Sequence, residues 1–332
     1  MEQPARDGSP TISELGEAAV LGRILPRLDP GEAALLGAGD DAAVVAAPDG
    51  RYVVTTDLMV HGPDFRLAWS RPHDLGWKAA ATNLTDVAAM GARPTALVVS
   101  IAAPPASPVS LLEGIADGLR DALSVLAPGA GVVGGDLSAS PVLTIAVTAF
   151  GDLEGRTPVL RSGARPGDVL AHAGARGDAA RGLALLFARA RDAEGAPDAA
   201  LAEHVRSRHP DLVGAQLAPR PPVSAGVLAA DAGATAMLDV SDGLARDARR
   251  LADASAVGLD FAAAALGTDP ITALAGAEDH GLLATFPPGT VPPAPFEVIG
   301  TVGGAAGRLT LDGAPVDTSG WDPYSGWDGG AG

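Results

Sequence analysis

Aspartate recurs at the ends of apolar stretches in this sequence. Asp40 and Asp41 stand in GAGDDAAVV, Asp57 in TTDLMV, Asp136 in GGDLS, and Asp239 and Asp242 in LDVSDGL. Asp86, in TNLTDVAAMGA, follows Asn83 by three residues, so a helix puts the two on one face. A carboxylate at a strand end or turn reaches the surface from a fixed backbone, which suits hard, oxygen-seeking cations such as Mg²⁺. If such carboxylates converge, they repel one another severely unless a cation lies between them. Singly, each aspartate has an ordinary structural use, because its side chain bonds backbone N–H groups in turns. Together, embedded in apolar strands, they point to a metal cluster.

Phosphate chemistry has a second, weaker sign. Gly134-Gly135 follows Val132-Val133, and two glycines let backbone N–H groups approach an anion closely, or simply make a β-turn. Ser241, between two aspartates, has no histidine signalled as a partner. It reads as a hydrogen bonder to phosphate or nucleotide, not as a nucleophile. The chain has one lysine, Lys78, and no G-x-x-x-x-G-K-[ST], which excludes an ordinary P-loop. No Rossmann glycine fingerprint, H-E-x-x-H or G-x-S-x-G occurs, and the six histidines read mostly as surface or loop residues. No histidine or lysine is signalled beside the aspartates as a general base.

The elements that must position these groups follow from periodicity and punctuation. Apolar spacing predicts a helix over 12–28, stopped by Pro30-Gly31. Strands are expected at 51–57, 96–102 and 142–150, with a short one at 132–133. Helices are expected at 74–89, with Gly91 behind it, and at 111–126. Residues 151–167 are turn-rich and read as a joint between two units. Beyond it come a strand at 168–172, a helix at 178–191, a proline-rich polar excursion over 192–222, a strand at 234–240 and a helix at 244–255. Late strands are expected at 282–286, 296–302 and 308–311, and a Gly/Pro-rich tail from 313 carries Trp321 and Trp327. The class is α/β. A sheet built from 51–57, 96–102 and 142–150 is rich in Val, Ile, Ala and Thr, needs cover on both faces, and so predicts a two-fold partner.

The 332 residues carry 40 acidic against 23 basic side chains, net −17, which argues against nucleic acid and anionic membrane surfaces as partners. Zero cysteine excludes disulfides, thiolate zinc, iron–sulfur clusters and cysteine catalysis. No targeting segment is read, and the longest uncharged run, 94–112, is broken by Pro104, Pro105 and Pro108. A cytoplasmic protein is expected.

As an ordered set, GAGDDAAVV, TTDLMVHGPDF, KAAATNLTDVAAMGARP, GGDLS, RSGARPGD, LDVSDGL and AGAEDHGLLATFP resemble the thiamine-monophosphate kinase family of the AIR-synthetase-like (PurM-like) superfamily, over about residues 12–324. The resemblance implies a two-domain α/β (α+β) architecture whose N-terminal mixed sheet dimerises. A tail and helix would span 1–36, an ATP- and metal-binding domain 37–151, a second α/β domain 152–312, and a tail with a substrate-side aromatic 313–332. It implies ATP as co-substrate, several Mg²⁺ ions, and thiamine monophosphate as acceptor in a direct in-line transfer. Carried over by motif, Asp41, Thr55, Thr56, Asp57, Asp86, Asp136, Asp239 and Asp242 fall at metal positions. Gly135, Asp136, Arg161 and Ser241 fall at the nucleotide site, and Glu278 and Trp321 at substrate positions. Asp64 stands where the family usually has His in G-x-H-F, Gly276-Ala277 replaces Gly-Gly before Glu278, and Trp327 competes with Trp321. No covalent or acid–base residue is implied, because the acceptor phosphate is already ionised. Two other readings stand beside this one: another superfamily enzyme such as an aminoimidazole-ribotide synthetase, and a non-catalytic protein that binds thiamine phosphates or nucleotide.

Overall fold

The alanine-rich stretch after residue 71 becomes the centre of the protein. In the computed structural model, which describes residues 8–37, 42–316 and 320, the first half runs α1 (Ile12–Leu15), α2 (Glu17–Ile24), β1 (Ala34–Leu36), β2 (Val44–Val45) and β3 (Val53–Val60). It continues through α3 (Pro72–Ala89), β4 (Arg93–Ala103), α4 (Val109–Leu126), β5 (Gly131–Ala139) and β6 (Thr144–Asp152). The second half runs β7 (Val169–Ala173), α5 (Asp178–Arg189), α6 (Ala199–Arg208), α7 (Pro210–Leu217), α8 (Ala225–Asp231), β8 (Ala236–Val240) and α9 (Leu244–Ser255). It closes with β9 (Gly258–Phe261), α10 (Pro270–Ala275), β10 (Gly281–Phe286), β11 (Glu297–Gly303), β12 (Leu309–Leu311) and β13 (Ala314–Pro315). Among the described residues, no helix is long and apolar enough to cross a membrane.

Two sheets carry the architecture. The first has the order β3-β6-β4-β5, antiparallel except for the β4–β5 pair. The second has the order β13-β12-β9-β11-β7-β10-β8 and is antiparallel except for β12–β9. Helix α3 is buried nearly all round and packs on both, touching β3, β4 and β6 on one side and β8, β10, α7 and α8 on the other. Small side chains make this possible. At Gly76 a Cβ would stand 1.9 Å from the Ile115 carbonyl oxygen, and at Gly118 one would stand 2.0 Å from that of His73, so α3 and α4 cross backbone to backbone. The resulting core is continuous. Leu75, Leu84 and Val87 of α3 join Ile145 and Val147 of the first sheet to Met237 and Phe286 of the second.

Two departures from the sequence expectations have clear causes. The helix expected over 12–28 is split at Gly16, whose φ of 74° is left-handed. Thr11 caps α1 with a capping box: its Oγ1 accepts from Glu14 N, and Glu14 Oε2 accepts from Thr11 N. The 192–222 excursion holds two helices, α6 and α7, started by Asp198 as N-cap and by Pro210 at the first turn. With α5 they bury Leu186, Val205 and Val213 in a small core of their own under Trp69. On the first sheet, the face turned away from α3 leaves Val54 59% and Leu58 56% exposed.

Candidate functional site

Strand alternation sorts the TTD stretch. Thr55, Asp57 and Met59 point to the α3 side of the sheet; Val54, Thr56 and Leu58 point to the other. Thr55 Oγ1 donates to Asp86 Oδ2 at 2.8 Å, tying β3 to α3. The Thr56 side chain donates to the Val147 carbonyl and faces Thr148, on the opposite side of the strand from Asp57. Asn83 is buried one turn before Asp86. Its Nδ2 donates to Ala79 O, and its Oδ1 is buried without a partner.

Asp239 enters from β8 and completes a cluster drawn from three elements. Burial, then the charges of Asp86 and Asp247, push its carboxyl up to about 7. Burial and Asp86 push Asp57 up to about 6, and burial raises Asp86. The three carboxylates therefore resist ionising together, and a divalent cation is the partner that would let them. This donor chemistry fits Mg²⁺. Among the described residues, however, no three His, Asp or Glu side chains form by themselves a group that would hold an ion. Arg161 lies within electrostatic reach of Asp86 and Asp239.

The remaining expected residues fall in different places. After β8, the Ser241 and Asp242 amides donate to buried Asp247, at 3.0 and 2.9 Å, while Asp242 Oδ2 accepts from Arg250 at 2.6 Å. Ser241 O accepts from Glu278 N at 2.8 Å, which fixes the turn bearing Glu278 beside the cluster. That turn is strained: Glu278 and His280 have φ of 72° and 52°, and Asp279 between them accepts from the amides of Gly177 and Ala179 at the start of α5. Asp136 stands apart. Register runs Asp57↔Val147↔Val99↔Gly135 across the sheet, so Asp136 is on the opposite edge, about 14 Å away by strand spacing, and on the opposite face. Gly135 and Asp136 instead border a largely apolar cavity of about 550 Å³ beside Ala42, Ala43, Leu21 and Ile24. Asp41, Trp321 and Trp327 lie outside the described residues.

Several groups at the site were given no role in the sequence, although Lys78 and His280 lie inside stretches that carry the resemblance. Lys78 and His280 are buried, against the expectation that neither residue type attends the carboxylates. Lys78 pairs with Glu278. Burial acts to raise Glu278, but the Lys78 ammonium, with His280, overrides it and holds the carboxyl below the usual range. His172 is also buried, and burial pushes it down to about 3. A cavity of about 240 Å³ opens beside this pair, lined by Asp64, Arg66, Trp69, Leu183, Phe187 and Leu217. Trp69 and Phe187 meet edge to face at 4.9 Å, with the Arg66 guanidinium 5.0 Å from each ring. Asp64, whose Oδ2 accepts from Val60 N at 2.7 Å, is raised by burial. A ring-sized apolar cavity thus adjoins a carboxylate cluster, with Glu278 and His280 between them.

The profile described as AIR synthase related protein, N-terminal domain, matches residues 39–153. A thiamine-monophosphate kinase of Mycobacterium tuberculosis (strain H37Rv) is 44% identical over 96% of this chain and 93% of its own length. One from Corynebacterium glutamicum is 42% identical over 84% of each. Among solved structures, AaThiL complexed with AMPPCP and TMP has a TM-score of 0.72 at 30% identity, covering 94% of this chain and 98% of that one. Thiamine-monophosphate kinase from Stenotrophomonas maltophilia K279a has a TM-score of 0.71 at 30% identity, covering 90% of this chain and 96% of the other.

Proposed function

The chain belongs to the thiamine-monophosphate kinase family, and from that premise we propose that it transfers the γ-phosphoryl group of ATP to thiamine monophosphate, giving thiamine diphosphate and ADP. The observation that carries this reading is the junction of the apolar cavity with the carboxylate cluster. A heterocycle in the cavity would direct its phosphate towards Asp57, Asp86 and Asp239. Glu278 and Asp64 hold the substrate, joined by Trp321 from the tail. Arg161, Ser241 and the Gly135 backbone contact the nucleotide. Asp57, Asp86 and Asp239, with Asp41, Asp136, Asp242 and oxygens of Thr55 and Thr56, would hold Mg²⁺. When bound, Mg²⁺ supplies charge neutralisation between two polyanions. The acceptor oxygen is ionised at neutral pH, so positioning does the work and no general base is required.

The working form is a cytoplasmic homodimer in which the open face of the first sheet, with Val54 and Leu58, is covered by a second copy. The units 37–151 and 152–312 flank the cleft. Because a strand cannot leave its place in a sheet, Asp136 reaches an Asp57 cluster only from the partner copy. The test offers ATP with thiamine monophosphate or with free thiamine and separates the products by chromatography. Thiamine diphosphate from the monophosphate alone is expected. Its absence, or comparable phosphorylation of thiamine, overturns the assignment.

A further inference from the structure

Lys78 is the chain's only lysine, and it is spent on the inside of the molecule, 4% exposed, at the wall of the smaller cavity. A buried ammonium is costly unless its protons are met. Two of its three N–H groups have partners: the Glu278 carboxylate and the Gln216 carbonyl, the latter at 3.3 Å. The third is left for whatever enters the cavity. On the other side of the pair, Lys78 and His280 both lie nearest Glu278 Oε2, His280 at 3.9 Å, and a carboxylate has lone pairs for more than these two partners. The turn that carries Glu278 is pinned by the Ser241 carbonyl and by Asp279 on the start of α5, and the pairing with Lys78 holds the carboxylate at the wall. The wall therefore presents one fixed acceptor beside one donor, under the rings of Trp69 and Phe187.

Resting on the kinase reading above, we propose that Lys78 and Glu278 together read the aminopyrimidine edge of the substrate. Glu278 accepts from the exocyclic amine, and Lys78 donates to the adjacent ring nitrogen. The pair is neutral in sum, so it offers phosphate groups no net charge and discriminates by hydrogen-bond pattern. A ring with the inverse pattern leaves a buried donor and a buried acceptor unmet, which is the strongest form of rejection such a site can make.

The test compares thiamine monophosphate with its 4′-oxo analogue, in which a carbonyl replaces the amine and the adjacent ring nitrogen carries hydrogen. The native chain is expected to prefer the amine by roughly a hundredfold in kcat/KM. In Lys78→Met the KM for thiamine monophosphate rises about tenfold while that for ATP stays put, and the preference for the amine falls to a few-fold. Calorimetric titration with each acceptor, without ATP, gives the same ordering. Lys78→Arg, which keeps a donor, recovers part of the preference. A folded Lys78→Met enzyme with full preference overturns the role of Lys78. A native chain that makes no thiamine diphosphate overturns the kinase reading instead. Should Lys78→Met not fold, reductive methylation of the native chain decides, read by peptide mass spectrometry so that the peptide holding the single lysine is scored apart from the N-terminal amine. Thiamine monophosphate is expected to protect Lys78 and the oxo analogue not to; equal labelling under both overturns the proposal.

Discussion

Asp239 carries a proton to a higher pH in the folded chain than in the unfolded one, where its ordinary value is 3.8. The unfolded chain therefore ionises first, and folding loses stability as pH rises from that value to about 7. Asp239→Asn removes this loss. Without divalent cation it should stabilise the protein by about 1–2 kcal/mol at pH 7.5, discounted for coupling with Asp86, and by little near pH 4. Thermal melts across that range measure it, and a variant whose Tm keeps the native pH slope would contradict it. Activity should fall to near nothing in the same protein. The carboxylates were legible because each sits in a short stretch with its own strand, turn or helix signal. Lys78 and His280 were not: one looks like a helix residue and the other like a loop residue, and only the packing of the two halves brings Lys78 against the turn that carries Glu278 and His280. Asp136 shows the converse. Its motif was plain, but its edge and face depend on a strand order that a local pattern does not contain.

The helix α3 was recognisable in outline from its alanine run and the glycine behind it, and the observed 72–89 span follows that outline. What the run did not disclose is how closely α3 lies on α4. Gly76→Ala tests that contact. Its new methyl would meet the Ile115 carbonyl oxygen, so the helices must part, and a loss of about 2–3 kcal/mol is expected in urea unfolding. Because Asp86 rides on the same helix, kcat should drop in whatever fraction stays folded. Unchanged stability would mean the helices are less tightly apposed. The strands β3, β4 and β6 were readable from short runs of β-branched and apolar residues. The helices α6 and α7 were hidden because proline-rich flanks and a polar composition look like a loop until α5 supplies the surface they cover.

At the scale of the whole molecule, the open sheet face predicts a dimer, which light scattering at micromolar concentration should report as twice the chain's mass. The separation of Asp57 from Asp136 predicts more. Asp57→Asn and Asp136→Asn should each be nearly inactive alone. Mixed, unfolded and refolded together, they should regain about a quarter of native activity, since half the dimers are mixed and each then has one intact site. No recovery would mean the two aspartates act within one chain. The burial of α3 between both sheets has a different consequence. A helix that serves as common core for two sheets leaves neither with a finished interior of its own. The halves should then melt as a single cooperative unit, and protection of α3 amides from hydrogen exchange should vanish only with global unfolding. A chain severed in the 153–168 connection should give fragments that find structure only in each other's company.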